Sequence, residues 1–197
     1  RWREFFQPVV LEHLQVITPW MTPPHPDRPT VVVDPGQAFG TGGHPTTRLI
    51  LSMLERRACG TGLADRVLDV GCGSGVLAIA AAVLGAVSAY GIDIDPQAIA
   101  AADENILANR VADRVRCGSR TLTDLGGTWP LVLANIELSV FALLAPAIAA
   151  RVAPAGELLV SGLLADQAEA CLALFPDFAV VERLALDGWL ALALVRT

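Results

Sequence analysis

Aromatic residues are scarce in this chain. Only 6% of its 197 residues are Phe, Trp or Tyr, although 53% are hydrophobic. A core of that composition is mostly Ala, Val, Leu and Ile, which suits buried parallel strands covered by helices. The four cysteines (Cys59, Cys72, Cys117 and Cys171) form no CxxC pair. That argues against a zinc site or a disulfide framework and for reduced thiols in a cytoplasmic protein. No basic cluster appears and the net charge is −6. Direct nucleic-acid binding over a broad face is therefore not expected, whereas a basic protein partner is compatible. No apolar run is long enough to span a membrane, since residues 76–87 are too short and are broken by Gly85. No signal peptide, internal repeat or heptad pattern is present. The chain opens on Arg1 rather than Met, which suggests a fragment with sequence upstream.

The length suits one α/β domain. Residues 1–14 predict a short amphipathic helix with Trp2, Phe5, Phe6 and Val9 on one side. Pro19, Pro23, Pro24, Pro26 and Pro29 then mark an extended linker. This gives a division into residues 1–30, helix and linker, and residues 31–197, the main domain. A strand is expected at 30–33. A helix starts at Pro45, with Leu49, Ile50, Met53 and Leu54 facing inward and Arg48, Ser52 and Arg56 facing water.

Beyond residue 66, strands at 67–70, 89–92, 115–117, 131–134 and 157–161 alternate with helices at 76–84, 96–109, 138–150 and 166–174. Asp95 and Pro96 form an N-cap and N1 pair. Residues 118–128 read as a loop. Strands at 179–185 and 189–195 flank Asp187-Gly188, a hairpin signal. The order predicts a doubly wound, mostly parallel sheet with a C-terminal antiparallel hairpin strand.

Two glycine-rich segments stand out. Residues 34–47, DPGQAFGTGGHPTT, hold Gly36, Gly40, Gly42 and Gly43 beside Phe39 and His44. A simple connection needs one such residue, so four indicate backbone lying close to a ligand. The second, residues 69–75, follows a strand in the position where such sheets bind ligands. Gly71 suits the tight turn, Gly73 close approach of backbone to ligand, and Gly75 close packing of the next helix. The spacing is GxGxG, and Val76 occupies the site of a dinucleotide fingerprint's third glycine. Asp93, at the end of the next strand, suits a pair of ribose hydroxyls and disfavours a 2′-phosphate.

The acid followed by GxGxG resembles motif I of class I S-adenosylmethionine-dependent methyltransferases. The first glycine loop goes further. Together with VLDVGCGSGVLAIAA, GIDIDPQAI, Ala134-Asn135-Ile136 and SGLLADQAE, it closely resembles the ribosomal protein L11 methyltransferase family over essentially the whole chain. That resemblance implies a Rossmann-like class I methyltransferase domain using S-adenosyl-L-methionine, with no metal. Thr47, Gly71, Asp93 and Asn135 match the family's cofactor positions, and Phe39, Thr41 and Gly42 its loop over the cofactor. Asp69, Gly73, Ile94, Gly118 and Ser119 complete the expected cofactor contacts. Asn135 is the expected catalytic residue, orienting the amine nucleophile. The acceptor sequence is Asn135-Ile136-Glu137-Leu138 in place of an NPPY-type motif. The family's small N-terminal recognition domain is missing, and residues 1–20 resemble only the linker that follows it.

The implied activity is N-methylation of lysine or α-amino groups of ribosomal protein L11, or of another basic protein, in the cytoplasm. The alternatives are another protein lysine, a small molecule, or a non-catalytic cofactor-binding module. His44 and Glu137 are candidate proton handlers, with loop structuring and stabilisation of a helix N-terminus as their simpler roles. His13 and His25 belong to no constellation.

Overall fold

A computed structural model of the chain describes residues 7–34 and 42–197. The main sheet contains β4 (Arg66–Val70), β5 (Ser88–Ile92), β6 (Val115–Gly118), β7 (Trp129–Asn135), β8 (Val152–Leu164), β9 (Phe178–Leu186) and β10 (Trp189–Arg196). Their spatial order is β6-β5-β4-β7-β8-β10-β9. Pairing is parallel from β6 through β8, and β10 runs antiparallel to both β8 and β9. The expected doubly wound α/β sheet with its antiparallel strand is therefore present. The hairpin turns on Asp187 and Gly188, with φ of 50° and 81°. A tight two-residue connection of the I′ type requires positive φ at both positions.

Helices cover both faces. α1 (Pro45–Cys59), α2 (Val76–Val83) and α3 (Pro96–Ala108) lie on one, α4 (Leu138–Ala149) and α5 (Ala168–Leu172) on the other. α2 is apolar all round and seven of its eight residues are buried, because the sheet, α1 and α3 enclose it. The sheet's own residues divide between the two cores: Val67 faces α1 and α2, whereas Leu68 and Val70 pack with Phe141 and Ile148 of α4.

The N-terminal segment differs from its expected form. No helix forms over residues 7–14. Instead β1 (Val9–Val10) pairs antiparallel with β2 (Gln15–Ile17), which pairs parallel with β3 (Thr30–Val32). The β-branched Val9-Val10 pair favours a strand. The turn between β1 and β2 is captured by Glu55 of α1, whose buried carboxylate accepts the backbone N–H groups of Glu12 and His13. Leu14, Val16, Val31 and Val33 join the same core as α1 and α2. Trp2, Phe5 and Phe6 lie outside the described residues.

The proline-rich span is likewise no free linker. It loops from β2 back to β3, and the buried Gln15 amide holds it: Nε2 donates to the His25 carbonyl at 2.6 Å and to Thr30 Oγ1 at 2.8 Å, and Oε1 accepts from His25 N–H. The division expected between residues 30 and 31 falls inside β3. Two smaller differences have the same tertiary origin. Arg48 and Ser52 are half-buried rather than water-facing, because α1 also packs on β9 and β10. The expected 166–174 helix is a 3-10 turn (Ala165–Gln167) followed by the short α5.

Gln15→Ala is expected to lower stability by about 1–3 kcal/mol, since partly buried backbone groups lose their partners. Thermal unfolding measures it, and an unchanged Tm would show that the span does not depend on this side chain.

Candidate functional site

The site forms where β4, β5 and β7 end. Gly71 leaves β4 with φ of 72°, and its N–H and that of Cys72 both donate to the Ile92 carbonyl, at 2.8 and 3.0 Å. The chain then passes through Gly73 and Gly75, with φ of 52° and 79°. These left-handed conformations suit glycine and strain other residues. Gly75 is the N-cap of α2 and no side chain caps it. A Cβ at Gly75 would lie 3.1 Å from the Ala102 Cβ, so α3 packs directly on the turn.

Asp69 is fully buried beneath this turn. Its Oδ2 accepts the N–H of Ala78, the third residue of α2, at 3.2 Å. The carboxylate thus caps the helix from the strand below. Its Oδ1 is buried with no hydrogen-bond partner. Burial pushes the Asp69 pKa up to about 7, the Ala78 N–H opposes that shift, and the nearby charge of Asp93 adds to it. Asp93 follows β5. Its Oδ2 accepts Gly73 N–H at 2.9 Å and its Oδ1 accepts Asp95 N–H at 3.0 Å. Each oxygen keeps a further lone pair, so the carboxylate can still receive two hydroxyls. Asp95 caps α3 through Gln97 N–H. Ile94 is 92% exposed at this corner. Gly118 sits beside it, its carbonyl accepting Asp93 N–H, and the exposed Ser119 follows.

The other side of the site is built by α1 and β7. Pro45 is N1 of α1 and His44 its N-cap, with Nδ1 accepting Thr46 N–H and lying 2.8 Å from Thr46 Oγ1. The His44 ring meets Trp189 edge-on at 4.9 Å. Thr47 is buried at the third position of the helix, and its Oγ1 accepts a hydrogen bond from Asn135 Nδ2 at 3.2 Å. This contact joins two residues 88 positions apart and orients the Asn135 amide. Glu137 is exposed at the start of α4. Gly42, with φ of 82°, packs on β2: a Cβ there would lie 3.0 Å from the Val16 Cγ1. Phe39 and Thr41 lie outside the described residues.

Gly162, which the residue-type pattern does not single out, also shapes the site. A Cβ on Gly162 would lie 2.3 Å from the Ile136 carbonyl oxygen, and one on Gly71 would lie 2.7 Å from the Ile136 Cγ2. The residue after Asn135 is therefore clamped between two glycines. The sequence signal is the glycine directly after Ser161, whose carbonyl accepts Ile136 N–H.

Two of the thiols are held in the protonated form. Cys72 is raised by its interaction with Cys117 and by burial, and Cys171 is pushed up to about 11 by burial. Among the described residues no group of His, Cys, Asp and Glu is placed to hold a metal ion, and no helix is long and apolar enough to cross a membrane. A cavity of about 700 Å³ opens at the far ends of α1 and α2, beside His13, His25 and Cys59, away from the strand C-termini.

A family model described as ribosomal protein L11 methyltransferase matches residues 1–197. A ribosomal protein L11 methyltransferase of Trichlorobacter lovleyi is 44% identical over 177 residues, covering 84% of this chain and 56% of the relative. That of Dechloromonas aromatica is 42% identical over 190 residues, covering 95% and 62%. The chain thus spans less than two thirds of the length of these relatives. A solved ribosomal protein L11 methylase from Lactobacillus delbrueckii subsp. bulgaricus superposes with a TM-score of 0.86 at 29% identity, covering 98% of this chain and 100% of that one. A magnesium protoporphyrin IX methyltransferase from Synechocystis, solved with bound S-adenosylmethionine, shares the fold at 18% identity, with a TM-score of 0.64 over 76% of this chain and 79% of that one.

The buried acid gives a test by pH. Folded Asp69 holds its proton up to about pH 7, whereas the unfolded chain releases it near 3.8. Stability from this group is therefore full below about pH 4 and is lost as pH rises through about 7. Asp69→Asn keeps an acceptor for Ala78 N–H and is expected to match wild type near pH 4 and exceed it at pH 8, by an amount on the order of a few kcal/mol. Denaturant unfolding across that range measures it, and a difference independent of pH would refute the assignment.

Proposed function

This chain belongs to the ribosomal protein L11 methyltransferase family, and we propose that it transfers methyl groups from S-adenosylmethionine to protein amino groups. The substrate that fits best is ribosomal protein L11, modified on lysine or α-amino groups in the cytoplasm, where the free thiols persist. The residues fit the cofactor chemically. The unpartnered Asp69 Oδ1 suits an ammonium group, the remaining lone pairs of Asp93 suit ribose hydroxyls, and the start of α2, whose N-cap is a glycine, suits a carboxylate. Ile94 offers an exposed apolar edge beside Asp93, and Gly118 with Ser119 would border the base.

The observation that carries the reading is the Thr47–Asn135 hydrogen bond. Thr47 engages the Asn135 Nδ2, which leaves Oδ1 turned to accept an N–H from an amine. When bound, the cofactor supplies an electrophilic sulfonium methyl and a neutral thioether leaving group. Asn135 then has one task, to aim the amine lone pair along the line of displacement. Ile136, its backbone against Gly162 and its side chain against Gly71, holds that aim. Positioning of this kind accounts for large rate factors without acid catalysis.

The amine must first be neutral. For a lysine with an ordinary pKa near 10.4, neutralisation at pH 7 costs roughly 4–5 kcal/mol. Burial beside a cationic centre lowers that cost. His44 spends Nδ1 on Thr46 and its ring edge on Trp189, which favours the loop-structuring role. Exposed Glu137 suits the start of α4, where its charge opposes the helix dipole.

Two variants test the proposal. Asp93→Ala is expected to weaken S-adenosylmethionine binding by about 2–4 kcal/mol. Calorimetry giving the wild-type Kd would remove the cofactor assignment. Asn135→Ala is expected to lower turnover about a hundredfold with little change in Tm. Transfer of labelled methyl groups to L11 at the wild-type rate would take Asn135 out of the reaction.

A further inference from the structure

We infer that Asn105 is a positioning residue that ties the entrance of the glycine loop to the cofactor turn. The inference rests on the cofactor site proposed above. Asn105 lies on α3 and is 2% exposed. Its Nδ2 donates to the Ser74 carbonyl at 3.0 Å, and its Oδ1 accepts Asp34 N–H at 2.9 Å. Ser74 lies between Gly73 and Gly75 at the centre of the turn, and Asp34 opens the segment that runs to Thr47. One buried amide therefore bonds both glycine-rich segments at once.

The surroundings give this bridge its consequence. Gly73 and Gly75 have no side chains, and Gly75 starts α2 without a side-chain cap. The peptide planes of the turn are thus set from outside. Asp93 fixes the N–H of Gly73, and Asn105 fixes the carbonyl of Ser74. With that carbonyl drawn toward α3, the N–H of the same peptide, that of Gly75, closes the turn on the Cys72 carbonyl at 2.8 Å. Ala102, one turn before Asn105, packs on Gly75, so the same face of α3 holds the turn by contact and by hydrogen bond.

Asn109 supplies an internal control. It lies one turn further along α3, accepts Val32 N–H and donates to the Val32 carbonyl and to that of Asn105. It anchors β3 as firmly as Asn105 anchors Asp34, but it has no bond to the cofactor turn. Both residues hold the N-terminal sheet, and Asn105 alone of the two reaches Ser74.

Calorimetry with S-adenosylmethionine, thermal unfolding and amide exchange separate the roles. Asn105→Ala is expected to raise Kd about tenfold or more, because the buried Ser74 carbonyl loses its donor. Asn109→Ala is expected to lower Tm comparably while Kd stays within about twofold. Asn105→Asp is nearly isosteric. It keeps the acceptor for Asp34 N–H and sets a second acceptor against the Ser74 carbonyl. It is expected to raise Kd like Asn105→Ala, with exchange at Asp34 as slow as in wild type, and it decides the matter if Asn105→Ala does not fold. The inference is overturned if the Asn105 variants bind with the wild-type Kd, or if Asn109→Ala raises Kd as much as they do. Absence of binding by the wild type would instead sink the cofactor site. The bridge is then judged by exchange at Gly75, which must be faster in Asn105→Ala than in Asn109→Ala.

Discussion

The three glycines of the turn from Gly71 to Gly75 have no side chains of their own, and groups from β4, β5 and α3 reach in to hold the turn and the helix it starts. Three left-handed glycines let the backbone leave β4 and enter α2 within five residues, but they leave the helix start with a glycine as its N-cap. The missing partners come from three directions. Asp69 reaches up from the strand to Ala78, Asp93 reaches across from β5 to Gly73, and Asn105 reaches in from α3 to Ser74. These bonds span 9, 20 and 31 residues, and the last two form only when β5 and α3 are assembled against the turn. A backbone held this way has amides already placed for an anionic group, at no further conformational cost when the ligand arrives.

A second constraint follows from the first. The left-handed departure at Gly71 brings the turn against the segment beyond β7, where Ile136 is flanked by glycine on both sides. A side chain at Gly162 would press on the Ile136 backbone, and one at Gly71 on the Ile136 side chain. Asn135 is thereby fixed from behind by packing and from the side by Thr47. Asn135, proposed to aim the nucleophile, and the turn proposed to hold the cofactor are thus parts of one close-packed unit. A methylene added at either glycine would be felt at both.

Much of this was legible in the sequence, for identifiable reasons. Asp69, Gly71, Gly75, Asp93 and the Asp95-Pro96 cap sit in fixed register with strand ends, and their roles follow from local chemistry. The Asp187-Gly188 hairpin is legible in the same way. Of the N-terminal sheet, β3 was legible as the strand expected at 30–33, whereas β1 and β2 were not, because they are two and three residues long and are held by distant partners. Glu55 stabilises the β1–β2 turn from 43 residues away, and Gln15 holds the proline span by a single buried amide. Neither leaves a periodic trace. Asn105 also looks like an ordinary polar residue of an amphipathic helix, since its bonds to Asp34 and Ser74 cross 71 and 31 residues. Sequence patterns reveal which groups need partners, and tertiary structure reveals which distant residue supplies them.

Asp69 shows why stability alone does not account for the arrangement. Capping α2 requires one acceptor oxygen, and an asparagine would provide it without a buried charge. The carboxylate instead leaves Oδ1 unpartnered and lies near a second acid, Asp93, which pushes its pKa further upward. In the cofactor-free protein this is a net cost. The cost is recovered only by a cation brought to the C-terminal end of β4, which would pair the orphan oxygen and offset the repulsion between the two acids. On the proposed reading, a buried, half-satisfied carboxylate beside a turn able to receive an anion matches a ligand carrying both signs of charge. The amino-acid end of S-adenosylmethionine has that character, and the free protein retains strain at this point for the sake of the complex.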